Sequence, residues 1–405
     1  MKIAFVSEHA SPLAALGGID AGGQNVHVAE LAAGLTRLGH EVCVFTRRDD
    51  VALPERLTTP DGYEVHHLPA GPAEVLAKDD LWPLMSEFAA ALGEQLERDT
   101  PDLVHAHFWM SGWAAHRVAR SLRLPTAITF HALGTVKQRH LGGADPSPAA
   151  RLSVERQLAR CVDRVIATCS DEVVELRSVG AAAEQISFVP CGVDVSRFTP
   201  DGAVLPGRRH HHRIVTLGRL VPRKGFDTVI QALTRLPDTE LVVAGGTPGA
   251  DPERDRLLAE AERLGVADRV EMVAQVPRSE VPALLRSADV VVATPWYEPF
   301  GIVPVEAMAC GVPVVASAVG GMLDTVRPGV TGLLVPPRDP VALASAVGRL
   351  LVQPELRRSY GSAAAQRARQ DYSWDRVAAE TDQAYRRTLR TARAIRPSFA
   401  AAAER

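Results

Sequence analysis

A chain of 405 residues has room for two or three domains of about 150 residues, each burying its own core, which excludes a peptide or a disulfide-stapled miniature. Hydrophobic residues at 46% and charged residues at 23% match the globular average and exclude wholesale disorder or collagen-like architecture. Lys and Arg number 45 against 48 Asp and Glu, a net charge of −3, so no broad positive field exists and nucleic acid is not an expected partner.

Along the chain, short β-branched runs alternate with longer amphipathic stretches, the pattern of a parallel sheet covered by helices on both faces. The first set of runs falls at 2–7, 41–47, 63–69, 103–108, 126–131, 164–169 and 186–191, and the second at 214–219, 240–245, 270–274, 290–295, 313–318 and 332–336. These predict an α/β protein with two doubly wound, Rossmann-like domains, one over 1–191 and one over 214–372. The segment 192–213, rich in Gly, Pro and charge, reads as the linker, and its run His210–His212 reads as a solvated part of it rather than a ligand set. Helical spacing of Trp374, Val377, Thr381, Ala384 and Leu389 predicts a final helix over 373–395 that packs back on the first domain.

The five cysteines, Cys43, Cys161, Cys169, Cys191 and Cys310, are odd in number and never spaced C-x-x-C. Neither a zinc site nor a disulfide framework is expected, and a cytoplasmic location is. The opening MKIAFVSEH reaches Glu8 too early for the apolar region of a secretory signal. No run approaches the ~18 apolar residues of a bilayer span, so only peripheral membrane contact is left open.

Three places carry chemistry. After the first strand a loop leads to a helix with apolar face Val28, Leu31, Leu35 and Leu38, and Gly22 and Gly23 stand at its mouth. Glycines there let backbone N–H groups approach a phosphate closely. The spacing is not G-x-G-x-x-G, which disfavours an NAD-dependent oxidoreductase. The second domain opens with VTLGRLVPRKGFD, which sets Arg219, Arg223 and Lys224 in a loop at the C-terminal end of a strand, where open α/β sheets bind ligands. Then TPWYEPFGIVPVEAMACG places Glu298 ahead of a helix starting near Gly301 and Glu306 one turn into it. The backbone N–H groups of Phe300, Gly301 and Ile302 would face an anion lying between the two acids. A phosphate flanked by hydroxyl-bearing groups fits that arrangement: a nucleotide sugar, with ribose toward Glu306 and hexose toward Glu298.

EPFGIVPVE resembles the E-x7-E signature of retaining GT-B glycosyltransferases, and GRLVPRKGFD, PCGVDVSRFTP and AVGGMLDTVRPGVTGLLVPP resemble its companion motifs along nearly the whole chain. The resemblance implies two domains facing each other across a cleft, the acceptor on the first and a nucleotide sugar of the UDP type on the second. It assigns the diphosphate to Arg219 and Lys224, the ribose to Glu306, a hexose hydroxyl to Glu298 and a phosphate contact from the other domain to Gly23. His131 is placed beside the transferred sugar and His9 near the acceptor.

Within the family, SPLAALGGIDAGGQNVHV and Lys78 are most similar to the mycothiol-pathway branch, which transfers N-acetylglucosamine to inositol phosphate, and to the sucrose-synthesising branch. That likeness implies His9, Asn25, Lys78, Phe108 and Arg151 around an acceptor, but Phe108 stands where the mycothiol branch has Tyr and Ala132 where it has Thr. The expected function is hexose transfer from a nucleotide diphosphate sugar to a small polyol, sugar or related acceptor; an inositol-phosphate acceptor and a nucleotide-sugar epimerase of the same fold are the alternatives. No cofactor is expected to be required, magnesium included, because the cations already meet the diphosphate and no D-x-D element appears.

Overall fold

A computed structural model describes residues 1–14, 22–246 and 251–403, with side chains described as far as residue 392. Part of the first glycine-bearing loop, residues 15–21, therefore lies outside the described residues. The chain divides into two compact units, one holding residues 22–190 with the N-terminal strand and the helix from Asp375 onward, the other spanning Cys191–Trp374.

Unit 1 is built on β1 (Lys2–Val6), β2 (Glu41–Arg47), β3 (Arg56–Thr58), β4 (Glu64–Leu68), β5 (Leu103–His107), β6 (Thr126–Thr129), β7 (Arg164–Ala167) and β8 (Ile186–Phe188), in the order β3-β4-β2-β1-β5-β6-β7-β8. All pairings are parallel except β3 with β4. Strand order reverses at β1 and β5, the switch point at whose C-terminal edge doubly wound sheets bind ligands. Sequence periodicity gives no sign of β3, because all three of its residues are exposed and an edge strand of that length carries no buried face.

The final helix, Trp374–Ala403, docks on unit 1 through buried polar contacts as well as apolar ones. The Tyr385 hydroxyl is 2.5 Å from His105 Nδ1, and Arg164 Nε donates to Thr388 Oγ1 at 3.1 Å. Val377, Thr381 and Ala384 are buried, as the spacing predicts.

Unit 2 carries β9 (His212–Leu217), β10 (Thr239–Ala244), β11 (Val270–Val273), β12 (Val290–Ala293), β13 (Val314–Ser317) and β14 (Gly332–Val335), all parallel, in the order β11-β10-β9-β12-β13-β14. This is the Rossmann order, with the switch point between β9 and β12. Residues 192–211 are packed into this unit: Val193 and Phe198 are fully buried, and Val193 N–H donates to the Tyr372 carbonyl at 2.7 Å. Apolar residues without a period can still fill a core, which is why composition reads this stretch as linker. Of the histidine run, His212 opens β9, and His210 lies 3.5 Å from Asp238.

Most observed strands stop one to three residues before the apolar runs do. The chain turns sharply out of the sheet at Phe108 and His131, both with positive φ. On the first helix, Gly23–Arg37, Val28, Leu31 and Leu35 are buried while Leu38 falls on the C-cap and is exposed. The five cysteines are all free thiols, and among the described residues no helix is long and apolar enough to cross a membrane.

Candidate active site

In unit 2 the loops leaving β9 and β12 meet at the switch point. After β9 the chain forms a single 3-10 turn, Pro222–Lys224, and reverses at Gly225 with φ 68°. A Cβ at position 225 would stand 2.1 Å from the Thr294 carbonyl oxygen, so only glycine allows the cation loop to lie against the exit of β12. Thr294 Oγ1 donates to the Gly225 carbonyl at 2.8 Å, and Trp296 N–H donates to the Arg223 carbonyl at 2.8 Å. Those bonds bring Lys224 onto Glu298 as an ion pair, with Arg223 at 3.9 Å. Arg219 is close enough to act on both charges of the pair. Burial works to raise the Glu298 carboxyl, but the facing Lys224, Arg223 and Arg219 outweigh it and hold the group below the usual carboxylate range.

The helix Ile302–Ala309 follows, with Gly301 at its N-cap in the left-handed region at φ 90°. Its first N–H groups have no partner within the helix. Phe300 is buried and packs its ring edge-on to Tyr372, 6.0 Å between centroids. Glu306, 1% exposed, pairs with Arg278 from the loop after β11. Burial pushes its carboxyl up and Arg278 opposes this, leaving it above the ordinary range. The E-x7-E spacing thus yields two acids of opposite tendency, Glu298 half-buried and Glu306 buried, each already facing a cation.

In unit 1 four of the five residues expected around an acceptor come together. The Phe108 ring has Lys78 Nζ at 5.8 Å, Arg151 Cζ at 5.1 Å and the His9 ring edge-on at 4.9 Å. His9 Nδ1 lies 2.7 Å from Glu8, whose other carboxylate oxygen accepts from Ser111. Two of the set are engaged within the fold in ways the sequence does not reveal. Asn25 caps the first helix: its Oδ1 accepts from Gly22 N–H and its Nδ2 donates to the Ser11 carbonyl, both at 2.9 Å. Arg151 is 2% exposed and donates to Glu155, to Ser147 and to the Ala132 carbonyl, so its side chain braces the loop after β6. Gly22 is half-buried and Gly23 exposed at the mouth of the first helix, and among the described residues nothing lies within 4 Å of a Cβ at position 22.

His131 sits in that braced loop. Ala132 N–H donates to the Phe130 carbonyl at 2.7 Å across His131, whose φ is 60°, a γ-turn of the strained sense. Its Nε2 is 3.0 Å from His107 Nδ1, and burial holds both imidazoles well below their usual pKa. The residues that sequence reasoning missed are these supports: Glu8, His107, Ser111, Glu155 and Arg278. The HAHF pattern signals a buried strand end, whereas nothing in AQVPRSEV marks Arg278 as a partner for a distant acid.

Comparison with known proteins fits both units. The profile described as "Glycosyl transferases group 1" matches residues 208–367, and "Glycosyltransferase Family 4" matches residues 21–197. A D-inositol 3-phosphate glycosyltransferase of Xylanimonas cellulosilytica is 38% identical over 395 residues, covering 93% of this chain and 94% of the relative. Its counterpart in Streptomyces bingchenggensis is 37% identical over 417 residues, with 98% and 91% covered. Among solved structures, sucrose-phosphate synthase from Thermosynechococcus elongatus superimposes with a TM-score of 0.88 at 32% identity, over 96% of this chain and 99% of that one. The two switch-point sites and the likeness along almost the full length agree, and the chain belongs to the group 1 glycosyltransferases, transferase enzymes of the two-domain GT-B fold.

Proposed function

We propose that this enzyme transfers a hexose, with retention at the anomeric carbon, from a nucleoside diphosphate sugar to a small phosphorylated polyol or sugar. The observation that carries the donor reading is the cluster of Lys224, Arg223 and Arg219 against Glu298, directly ahead of the helix Ile302–Ala309. A diphosphate entering there takes Lys224 from Glu298, which frees the carboxylate to accept a hexose hydroxyl. Ribose hydroxyls replace Arg278 on Glu306 in the same way. As the bond from C1 to the β-phosphate oxygen breaks, negative charge grows on that oxygen, and fixed cations and helix N–H groups stabilise it more than they stabilise the ground state. The acceptor oxygen bonds to C1 from the face the diphosphate leaves, and its proton passes to the departing phosphate. The family resemblance assigns His131 to the transferred sugar and Gly22 and Gly23 to the phosphates.

For the acceptor, Lys78 near Phe108 supplies a positive charge for a phosphate, while Arg151 spends most of its donors on Glu155, Ser147 and Ala132. Relatives acting on inositol phosphate support that class. Phe108 and Ala132 lack hydroxyls that would each add a hydrogen bond to a charged group, of order 1.5–3 kcal/mol, so other phosphorylated polyols and hexoses compete.

The test is release of nucleoside diphosphate from UDP-, ADP- and GDP-sugars against a panel of phosphorylated and unphosphorylated acceptors, with and without a chelator. Acceptor-dependent release that requires the phosphate and survives chelation is the expected result. Sugar interconversion without acceptor, or turnover restored only by magnesium, would remove this reading.

A further inference from the structure

Four histidines crowd the C-terminal edge of the unit 1 sheet, and the fold gives them unequal tasks. His105 uses both nitrogens, one 2.5 Å from the Tyr385 hydroxyl and the other 3.0 Å from Thr129 Oγ1. His107 has Nδ1 3.0 Å from His131 Nε2, while its buried Nε2 has no hydrogen-bond partner among the described residues. His27, from the first helix, sets its ring 4.9 Å from that of His131 and 5.7 Å from that of His107. Nothing in the transfer chemistry calls for His27 or His107.

We infer that His27, His107 and His131 form a latent binding site for a divalent transition metal of the zinc class. One ring nitrogen from each lies within 4.8 Å of the others. A tetrahedral site with metal–nitrogen bonds of about 2.0–2.1 Å separates its ligands by about 3.3 Å. The His107–His131 pair, at 3.0 Å, already matches that separation, so His27 has roughly 1.5 Å or less to close. The three ligands come from three elements: the first helix, the end of β5 and the loop after β6. Imidazole suits zinc, cobalt, nickel and copper, whereas magnesium and calcium prefer oxygen, so the site discriminates against the abundant alkaline-earth ions. His131 is half-buried, which leaves an entry path and a fourth position for water.

Because the reading above places His131 beside the transferred sugar, a metal held there blocks transfer; this consequence rests on that reading, while the coordination does not. The test titrates the full chain, stripped with a chelator and desalted, with Co²⁺ alone and follows its visible d–d absorption. The expected result is one equivalent with the intense bands of a tetrahedral ion, displaced by Zn²⁺. H107N and H131N should each weaken binding at least ~10-fold, while H211A should leave it unchanged. H131N, at the most accessible of the three, keeps the test decisive if H107N fails to fold. Absence of the bands, or bands that survive both substitutions and vanish in an H210A/H211A/H212A variant, would overturn the site. Inhibition of transfer by Zn²⁺ that a chelator reverses supports it further. A Co²⁺ spectrum that depends on the trio while transfer is unaffected upholds the site and instead removes His131 from the transfer centre.

Discussion

Replacing Arg151 by Met separates two roles for one buried cation. Arg151 and Glu155 have side chains 3% and 4% exposed and are joined at 2.8 Å. Burial raises the Glu155 carboxyl, with Arg151 and the Gly134 N–H at 2.7 Å opposing that rise. Removing one partner of such a pair leaves an uncompensated buried charge and costs about 3–5 kcal/mol, whereas replacing both by apolar residues of similar size is close to neutral. R151M and E155L should therefore each destabilise unit 1 by ~3 kcal/mol or more at pH 7.5, and the double variant by far less than their sum, a coupling of up to ~3 kcal/mol. The cost in R151M should shrink in acid, because the carboxyl whose folded pKa is raised regains its proton as pH falls. Urea unfolding of the full chain, with hydrogen exchange followed across residues 130–160, reads both effects. If R151M unfolds within ~0.5 kcal/mol of the parent and only the KM for acceptor rises, Arg151 is a ligand group and not a brace.

Substituting Lys224 by Met should lower kcat by ~10²–10³ with the fold intact, measured as nucleoside diphosphate release; unchanged turnover would take the diphosphate away from this loop. Changing Gly225 to Ala imposes a side chain at φ 68° and 2.1 Å from a backbone oxygen, so a loss of at least ~2 kcal/mol is expected in urea, together with reduced transfer. Stability should fall as pH drops below the unfolded histidine value of 6.5, since His27 stays neutral in the fold down to about 4. By linkage this imidazole alone accounts for about 3 kcal/mol, and urea midpoints measured down that range should fall less steeply in H27N. In H131G relief of the positive φ is worth of order 1–3 kcal/mol, so thermal unfolding should occur no earlier than in the parent while transfer collapses.

The alternation of strand and helix, and the segments that carry Lys224, Glu298 and Glu306, are legible because each follows a largely buried strand whose apolar run locates its end to within one to three residues. Phe108 and His131 are legible as sheet-edge residues for the same reason. Their conformations are not, since an aromatic side chain gives no sign that its backbone will leave the sheet with φ at 84° or 60°. Pairings across long separations are equally silent. Glu306 meets Arg278 and His105 meets Tyr385 only because the parallel sheets bring distant segments to a common edge. Asn25 misleads in the opposite direction: an amide near a helix mouth suits a ligand or a cap equally well, and the Gly22 N–H decides for the cap.

At the unit 1 switch point, two bulky residues adopt backbone conformations that glycine would enter without strain. Phe108, at φ 84° and ψ 160°, occupies a region that is essentially glycine's alone, and His131 turns through a γ-turn with positive φ. Such conformations persist only where surrounding contacts over-determine them. Here those contacts are identifiable: the Phe108 N–H donates to the Thr129 carbonyl at 2.9 Å, the His107–His131 pair closes at 3.0 Å, and Arg151 holds the Ala132 carbonyl at 2.7 Å. A glycine at either position would relax the backbone but lose the ring that Lys78 and His9 face, or the imidazole that His107 orients. The strain is thus the cost of projecting two rings from the ends of adjacent strands, and Arg151 meets part of it from within the core. This gives a buried arginine a role at this edge of the sheet without requiring that it touch a substrate.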